Sequence, residues 1–229
     1  YLKECGFADT EYIKAGRSTY ALFVNAAPQE YLVIEDTFPN GRPPLEKAGV
    51  IFTDRETVNQ CERMKVGTCL NPLHTALAVY GCLLGYVKIS DEIRDPQLKG
   101  LIEKIGYDEG LPVVVNPGVL NPKAFIDELL EQRLPNPNVP DTPQRIATDT
   151  SQKVGVRYGI TIKAYGDKAK DLKYIPLAIA GWCRYLLGID DEGHAFTPSP
   201  DPLLEDLQKT LAGVRFGHPE TAAGALHSI

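Results

Sequence analysis

Four side chains of the types needed to oxidise an alcohol or reduce a ketone lie close together in the sequence: Glu62, Lys65, Asn71 and His74. Residues three apart share one face of a helix, so the glutamate pairs with the lysine and the asparagine with the histidine. A lysine whose pKa is lowered by partial desolvation can accept the hydroxyl proton. The amide and the imidazole can hold the oxygen as its charge develops. The glutamate would pass the proton to water.

Each of these residues also has a structural interpretation. A glutamate and a lysine three apart are commonly a solvated surface pair, and Asn-Pro is commonly a turn. A histidine near Ala76, Leu77 and Val79 suits a helical core. A hypothesis of another class is a non-catalytic helical module that assembles subunits or binds a partner. The two classes differ in whether the four polar side chains line one cleft or scatter over the surface.

Helices must position these residues, because helix signals dominate from residue 54 onward. Thr53 or Asp54 can cap a helix that continues through Lys65 toward Leu84. By contrast, short apolar runs rich in β-branched and aromatic residues predict strands over residues 20–24 and 31–34.

Later helices are marked by a capping residue before a first-turn proline. Asn121-Pro122 predicts a helix with one apolar face, made of Phe125, Ile126, Leu129, Leu130 and Leu134. Asp141-Thr142-Pro143 predicts a helix that extends to Tyr165. Two more helices are expected over residues 175–187 and 203–211. The predicted fold class is therefore mainly α with a short β segment at the N-terminus.

Composition excludes several classes of protein. Hydrophobic residues make up 43% and charged residues 24% of the 229 residues, as in folded globular proteins. The formal charge of −6 argues against nucleic-acid binding, and no apolar run is long enough to span a membrane. The five cysteines form no CxxC pair, so we expect neither a disulfide framework nor a metal site, and a cytoplasmic location.

Several motifs, in order, resemble the polyol-specific long-chain dehydrogenases, a family that includes mannitol 2-dehydrogenase and fructuronate reductase. Residues 31–50 (YLVIEDTFPNGRPPLEKAGV) resemble its signature region, and residues 181–190 and 201–203 resemble its C-terminal half. The family's E..K and N..H pattern corresponds to the four polar residues described first.

The resemblance implies roles for those residues. Lys65 would be the general base, Asn71 and His74 would bind the reacting oxygen, and Glu62 would serve proton exchange. The family uses NAD(H) or NADP(H) and no metal on a sugar acid or polyol. We expect a sugar acid first, as in fructuronate reductase, and mannitol second. The resemblance also implies a helical C-terminal domain like that of 6-phosphogluconate dehydrogenase.

The nucleotide-binding half of that family has no counterpart here, because no G-x-G-x-x-G follows an early strand. We therefore expect residues 1–50 to be the tail of a Rossmann-type domain and residues 51–229 to be the helical substrate-binding and catalytic domain. The first residue is Tyr1, so we expect a fragment. Alone, it would be inactive and prone to self-association through its exposed interface.

One departure from the family concerns spacing. Five residues separate Lys65 from Asn71, where the family usually has four. In an unbroken helix, Lys65 and His74 would point about 180° apart, and one step fewer would reduce this to about 80°. We therefore predict a π-bulge or a break between Gly67 and Pro72.

Cations for an anionic substrate group are expected on the later helix. Lys153 lies nearest to the family's substrate-binding position, and Arg157 is a second candidate; each could equally be a solvated cation. Arg42 is expected to fix a loop, and Trp182 and Tyr185 to lie in the core. Residues 190–194 are read as an exposed turn rather than a metal loop.

Overall fold

A computed structural model describes residues 13–15, 18–20, 31–139 and 141–227. The chain divides into two compact units, Tyr1–Leu32 and Val33–Ile229. In the first unit, β1 (Ile13–Ala15) and β2 (Ser18–Tyr20) pair antiparallel. Apart from its first residue, the strand predicted over residues 20–24 lies outside the described residues.

Two parallel strands open the second unit. β3 (Val33–Glu35) pairs with β4 (Ile51–Thr53), and Ile34 lies opposite Phe52. β3 overlaps the strand predicted over residues 31–34. The sequence pattern does not predict β4, because three residues are too few to show an alternation.

Arg42 fixes the loop between these strands, as predicted. Its guanidinium donates to the Asp36 carboxylate at 2.8 Å and to Glu46 Oε2 at 2.6 Å. The same group lies over the Phe52 ring, 3.4 Å from the ring centre. A short 3₁₀ turn, Leu45–Ala48, completes the loop.

The helix that contains the candidate residues begins where the sequence predicts. The Asp54 side chain accepts a hydrogen bond from the Thr57 N–H at 2.8 Å and caps α1 (Arg55–Met64). A π-helical segment, Lys65–Cys69, leads into α2 (Asn71–Leu83). Ten of the thirteen residues of α2 are buried, so this helix is enclosed on almost all sides and forms the centre of the domain.

The remaining helices pack around α2. Their bounds are α3 Ile89–Glu92, α4 Pro96–Glu103, α5 Pro122–Glu128, α6 Pro143–Ile146, α7 Thr150–Arg157, α8 Gly159–Tyr165, α9 Tyr174–Tyr185, α10 Leu204–Thr210 and α11 Ala223–Leu226. Two further π-helical segments, Lys104–Gly110 and Leu129–Arg133, extend α4 and α5. Short 3₁₀ segments cover Leu111–Val113, Gly166–Asp171 and Pro219–Thr221.

The cap predicted at Asn121 is confirmed, since its side chain accepts from the Ala124 N–H at 3.0 Å. The predicted apolar face of this helix packs in the core, with Phe125 half-buried and the other four residues buried.

The single helix predicted from residue 141 to residue 165 is wrong. Thr142 caps α6 as expected, but the chain leaves the helix after four residues and Asp149 adopts φ 54°. The Asp149 N–H donates to the Pro200 carbonyl, and the Lys153 ammonium binds the carbonyls of Ile146 and Thr148. These bonds replace the helical ones, and a second irregularity at Tyr158 separates α7 from α8.

The core consists of two adjoining clusters. The larger one surrounds the first half of α2, and the second joins Val79 and Leu83 to Trp182, Tyr185 and Leu186. The two aromatic residues are thus core residues, as predicted. The mainly α fold class is confirmed, and among the described residues no helix is long and apolar enough to cross a bilayer.

Candidate active site

The helix that carries the four candidate residues changes its winding after Met64. The Leu70 N–H donates to the Lys65 carbonyl at 3.1 Å, across the π-helical segment. Leu70 itself leaves the helical region, with φ −124° and ψ −64°. The predicted π-bulge or break is confirmed, although the π turn begins at Lys65. A π turn contains one residue more than an α-helical turn. When this extra residue is left out of the count, the side chains of Lys65 and His74 lie about 80° apart around the helix axis.

Hydroxyl groups of a neighbouring part of the chain hold this turn. The Thr161 hydroxyl donates to the Gly67 carbonyl at 3.1 Å, and the Tyr158 hydroxyl donates to the Pro72 carbonyl at 3.0 Å. Gly67 also lies against Ile160, where a Cβ would come within 2.9 Å of Ile160 Cδ1. The extra residue is therefore accommodated by specific contacts with α8 and the residue before it. These partners lie about ninety residues further along the sequence than the π turn.

His74 is buried and electrically neutral. Its side chain is 14% exposed, and its Nε2 has no hydrogen-bond partner among the described residues. The Asp141 carboxylate lies 3.8 Å from that nitrogen, too far for a hydrogen bond. Burial lowers the pKa of His74 to about 4, despite the opposing charge of Asp141. The arginines at positions 133, 157 and 145 lower it further, so the imidazole is uncharged at pH 7.

Arg157 connects α7 to the beginning of α2. Its guanidinium donates to the Thr75 hydroxyl, and that hydroxyl donates to the Asn71 carbonyl at 2.8 Å. Burial lowers the pKa of Arg157 below its usual value. Arg157 therefore lies beside both members of the predicted Asn71 and His74 pair.

Lys153 is close to Arg157 on the same helix. Its ammonium donates to the Ile146 carbonyl at 3.2 Å and to the Thr148 carbonyl. Burial lowers the pKa of Lys153, and the neighbouring Arg157 lowers it further. The two predicted substrate-binding cations are thus half-buried groups near one another, and neither is a freely solvated side chain.

The four predicted catalytic residues differ in burial. Glu62 is exposed on α1, Lys65 is half-buried at the first residue of the π turn, and Asn71 is half-buried at the start of α2. Arg157 is linked through Thr75 to the backbone carbonyl of Asn71, and its charge acts on His74. The Lys65 backbone carbonyl accepts the bond that closes the π turn, which links the backbone of Lys65 to the residue before Asn71.

Three charged residues near His74 are missed by sequence reasoning: Arg133, Asp141 and Arg145. Arg133 and Asp141 line a small cavity together with His74. Arg145 forms an ion pair with Asp141, four residues earlier on the chain. Asp141 and Arg145 lie at the start of α6. Their i, i+4 spacing is the sequence feature from which this ion pair could have been predicted.

Other reactive groups of the described chain do not form a metal site. No group of three or more His, Cys, Asp or Glu side chains that could hold a metal ion occurs among the described residues. Burial raises the pKa of the Cys69 thiol to about 12 and raises that of Cys61 as well, so neither is a thiolate at pH 7. In the turn at residues 190–194, the Asp190 carboxylate accepts hydrogen bonds from the backbone N–H groups of Glu192 and His194.

Sequence comparison identifies relatives with known names. D-mannonate oxidoreductase of Thermotoga maritima is 57% identical over all of this chain and 44% of its own length. D-mannonate oxidoreductase of Escherichia coli is 33% identical over 81% of the chain and 37% of its own length. The chain thus spans about two fifths of the length of these relatives.

Solved structures give the same result. Mannitol 2-dehydrogenase of Pseudomonas fluorescens, in a ternary complex with NAD and D-mannitol, matches 79% of this chain and 36% of its own chain, with a TM-score of 0.67 and 31% identity. A D-sorbitol dehydrogenase in substrate-free form matches 84% of this chain and 39% of its own, with a TM-score of 0.73 and 30% identity. The sequence model of the family described as the mannitol dehydrogenase C-terminal domain matches residues 57–219 of this chain. The chain belongs to the mannitol dehydrogenase C-terminal domain family.

Proposed function

We propose that this chain is the substrate-binding and catalytic domain of an NAD(P)-dependent oxidoreductase that interconverts a sugar acid or a polyol and its keto form. The observation that carries the proposal is the neutral, buried His74, whose Nε2 lacks a protein partner among the described residues and lies in arginine-rich surroundings. A sugar acid, as in fructuronate reductase, is the first choice of substrate. A polyol such as mannitol is the second. The two D-mannonate oxidoreductases support this order.

In the proposed mechanism, Lys65 takes the hydroxyl proton of the alcohol as general base. A neutral imidazole protonated on Nε2 donates one hydrogen bond to the reacting oxygen without adding charge, and the Asn71 amide donates a second. Because the pKa of His74 is about 4, this donor stays neutral over the pH range in which a general base works near neutrality. Glu62, exposed on α1, exchanges the proton with water.

The hydrogen-bond donors of Asn71 and His74 can bind the oxygen of an alcohol or a ketone. Alcohols and ketones are the compounds that exchange a hydride with a nicotinamide. NAD(P) supplies or accepts that hydride when it is bound. The residues of this chain hold the substrate oxygen and move its proton, while Lys153 and Arg157 bind further polar or anionic groups of the substrate. We assign the nucleotide to the remaining part of the full-length enzyme, since no glycine-rich phosphate motif follows an early strand in this sequence. The proposed chemistry uses no metal.

The alternative function is a non-catalytic module that assembles subunits or binds a partner. Exposed apolar side chains such as Val87, which is 68% exposed, favour association of this chain with another surface. What favours the catalytic proposal is His74 Nε2, which is buried near the charge of Arg157 and has no hydrogen-bond partner among the described residues, whereas a scaffold needs no such group.

The first test removes the general base from the full-length enzyme that contains this chain. Fructuronate, fructose and tagaturonate are assayed with NADH and NADPH across pH, for the wild type, Lys65→Ala and the exposed control Lys168→Ala. Loss of a general base lowers kcat by at least about a hundredfold. We expect this loss in Lys65→Ala alone, with wild-type thermal stability. Wild-type turnover by Lys65→Ala would exclude the lysine as the base.

A further inference from the structure

Three half-buried cations in the region of His74 and Arg157 share the lack of an anionic partner among the described residues. Arg133, Lys153 and Arg157 are half-buried, and in the described part of the chain none has a carboxylate oxygen within 4.0 Å. Four exposed lysines elsewhere have such a partner: Lys99, Lys104, Lys123 and Lys209. Partly buried cations are normally paired, so this arrangement suits a site that receives its anion from a ligand.

The nearby carboxylate does not fill that role. The charges with the largest effects on the pKa of His74 are Asp141 and three arginines, and Asp141 already forms an ion pair with Arg145. This leaves the positive charges of Arg133 and Arg157 acting on an uncharged imidazole. An anionic group that enters here meets a net positive field in a partly desolvated place.

Of the three half-buried cations, Arg133 is the one whose guanidinium donates to none of the residues that the structure describes. Arg157 donates to Thr75, and Lys153 donates to two carbonyls. Arg133 ends the π-helical segment Leu129–Arg133, and its side chain lines the same small cavity as His74. The other residues that line this cavity are Asp141, which is ion-paired with Arg145, and the apolar Ile89, Leu134 and Val139. A planar guanidinium with free donors can bind a carboxylate through two parallel hydrogen bonds.

We infer that Arg133 binds the carboxylate of the substrate and is the residue by which this site selects a sugar acid over a neutral polyol. The inference rests on the proposed function and deepens it, because it assigns the substrate class to one side chain. The reacting oxygen is held at Asn71 and His74, and the acid group is held at Arg133.

The test compares charged and neutral sugars in the full-length enzyme. The variants are Arg133→Gln, Arg133→Lys and the control Arg94→Gln, which removes an exposed arginine paired with Asp91. We expect Arg133→Gln to lower kcat/KM for fructuronate at least about tenfold, the effect of one lost charged hydrogen bond. The kcat/KM of Arg133→Gln for fructose should stay within about threefold of the wild-type value. The control Arg94→Gln should stay within the same range for both fructuronate and fructose. Arg133→Lys should recover part of the loss.

Binding without turnover separates this inference from the proposed function. Calorimetry of D-mannonate and mannitol should show that the wild type prefers the acid and that Arg133→Gln loses this preference. If the wild type reduces no sugar but binds mannonate through Arg133, the proposed function fails and the carboxylate site stands. If the variant binds both sugars as the wild type does, or weakens both equally, the carboxylate site is excluded.

Discussion

Two regions of the molecule use arginine in opposite ways. In the loop between β3 and β4, Arg42 is bound by two carboxylates and stacked on the Phe52 ring, and the bond to Asp36 raises its pKa. Beside His74, Arg157 has one hydroxyl partner, and burial lowers its pKa. The difference shows that the partners of a cation, more than its residue type, separate the loop arginine from the one that we propose to bind substrate.

The loop and the site also differ in how their partners are placed along the chain. Asp36 and Glu46 lie within six residues of Arg42, so the loop carries its own neutralising charges. The Thr75 partner of Arg157 is 82 residues away, and the charges around His74 come from three separate segments. The ion pairs of Arg42 are local and stabilise their own loop. The arrangement of charges around His74 depends instead on the folding of the whole domain.

The comparison predicts unequal effects of the same substitution. In the full-length enzyme, Arg157→Met should lower kcat/KM for the preferred substrate by at least about a hundredfold, because it leaves the substrate's polar group without its buried partner. Arg42→Met should keep kcat/KM within about threefold and lower only the thermal unfolding midpoint. Steady-state kinetics and thermal unfolding of both variants measure this. Equal losses of activity would remove the distinction between the two arginines.

A second prediction uses His74 to sharpen the contrast through pH. Its folded pKa of about 4 lies below the ordinary value of 6.5, so the unfolded chain binds the proton more tightly. The stability that His74 contributes is therefore present above pH 6.5 and is lost as the pH falls toward 4. The loss amounts to about 3 kcal/mol for a shift of this size. Denaturant unfolding at several pH values should show it.

The matched variant for that experiment is His74→Asn, which keeps a polar side chain that does not titrate. Between pH 6.5 and pH 4, its free energy of unfolding should fall less than that of the wild type. An identical pH dependence would mean that His74 titrates normally and that the cations do not act on it.

The smallest effects are expected from two glycines, one in each region. Gly67→Ala places a Cβ 2.9 Å from Ile160 and should cost about 1 to 3 kcal/mol of stability, with reduced kcat because the π turn shifts. Gly49→Ala has open space but a φ of +88°, so it should cost about 1 to 2 kcal/mol and leave kcat unchanged. Unfolding and kinetics of both variants test this. A Gly67→Ala enzyme with wild-type kcat would show that the turn tolerates displacement.

The sequence predicts those features that depend on neighbouring residues. The caps at Asp54 and Asn121 follow from local hydrogen bonding. The π turn follows from comparison with the family that the sequence resembles, which usually has one residue fewer between Lys65 and Asn71. The break after Ile146 does not, because its cause includes a bond to the Pro200 carbonyl.

The partners of the site residues are beyond sequence reasoning for the same reason. Asp201 shows the principle, since its carboxylate accepts the Ser151 N–H at 2.8 Å and satisfies the start of α7 from fifty residues away. The proximity of Arg133 to His74 likewise joins residues that are far apart in the sequence, since both line one small cavity. No periodicity along the chain encodes such a distance.

The burial of α2 has a consequence for the kinetics of local opening. A helix enclosed on almost all sides exchanges its backbone amide protons mainly through global unfolding, whereas an exposed helix such as α1 opens by fraying. Asn71 and His74 thus belong to a slowly exchanging part of the molecule, and Glu62 belongs to a faster one. The groups proposed to hold the oxygen are therefore expected to stay fixed over long times, while the proposed proton relay moves with the solvent-facing helix.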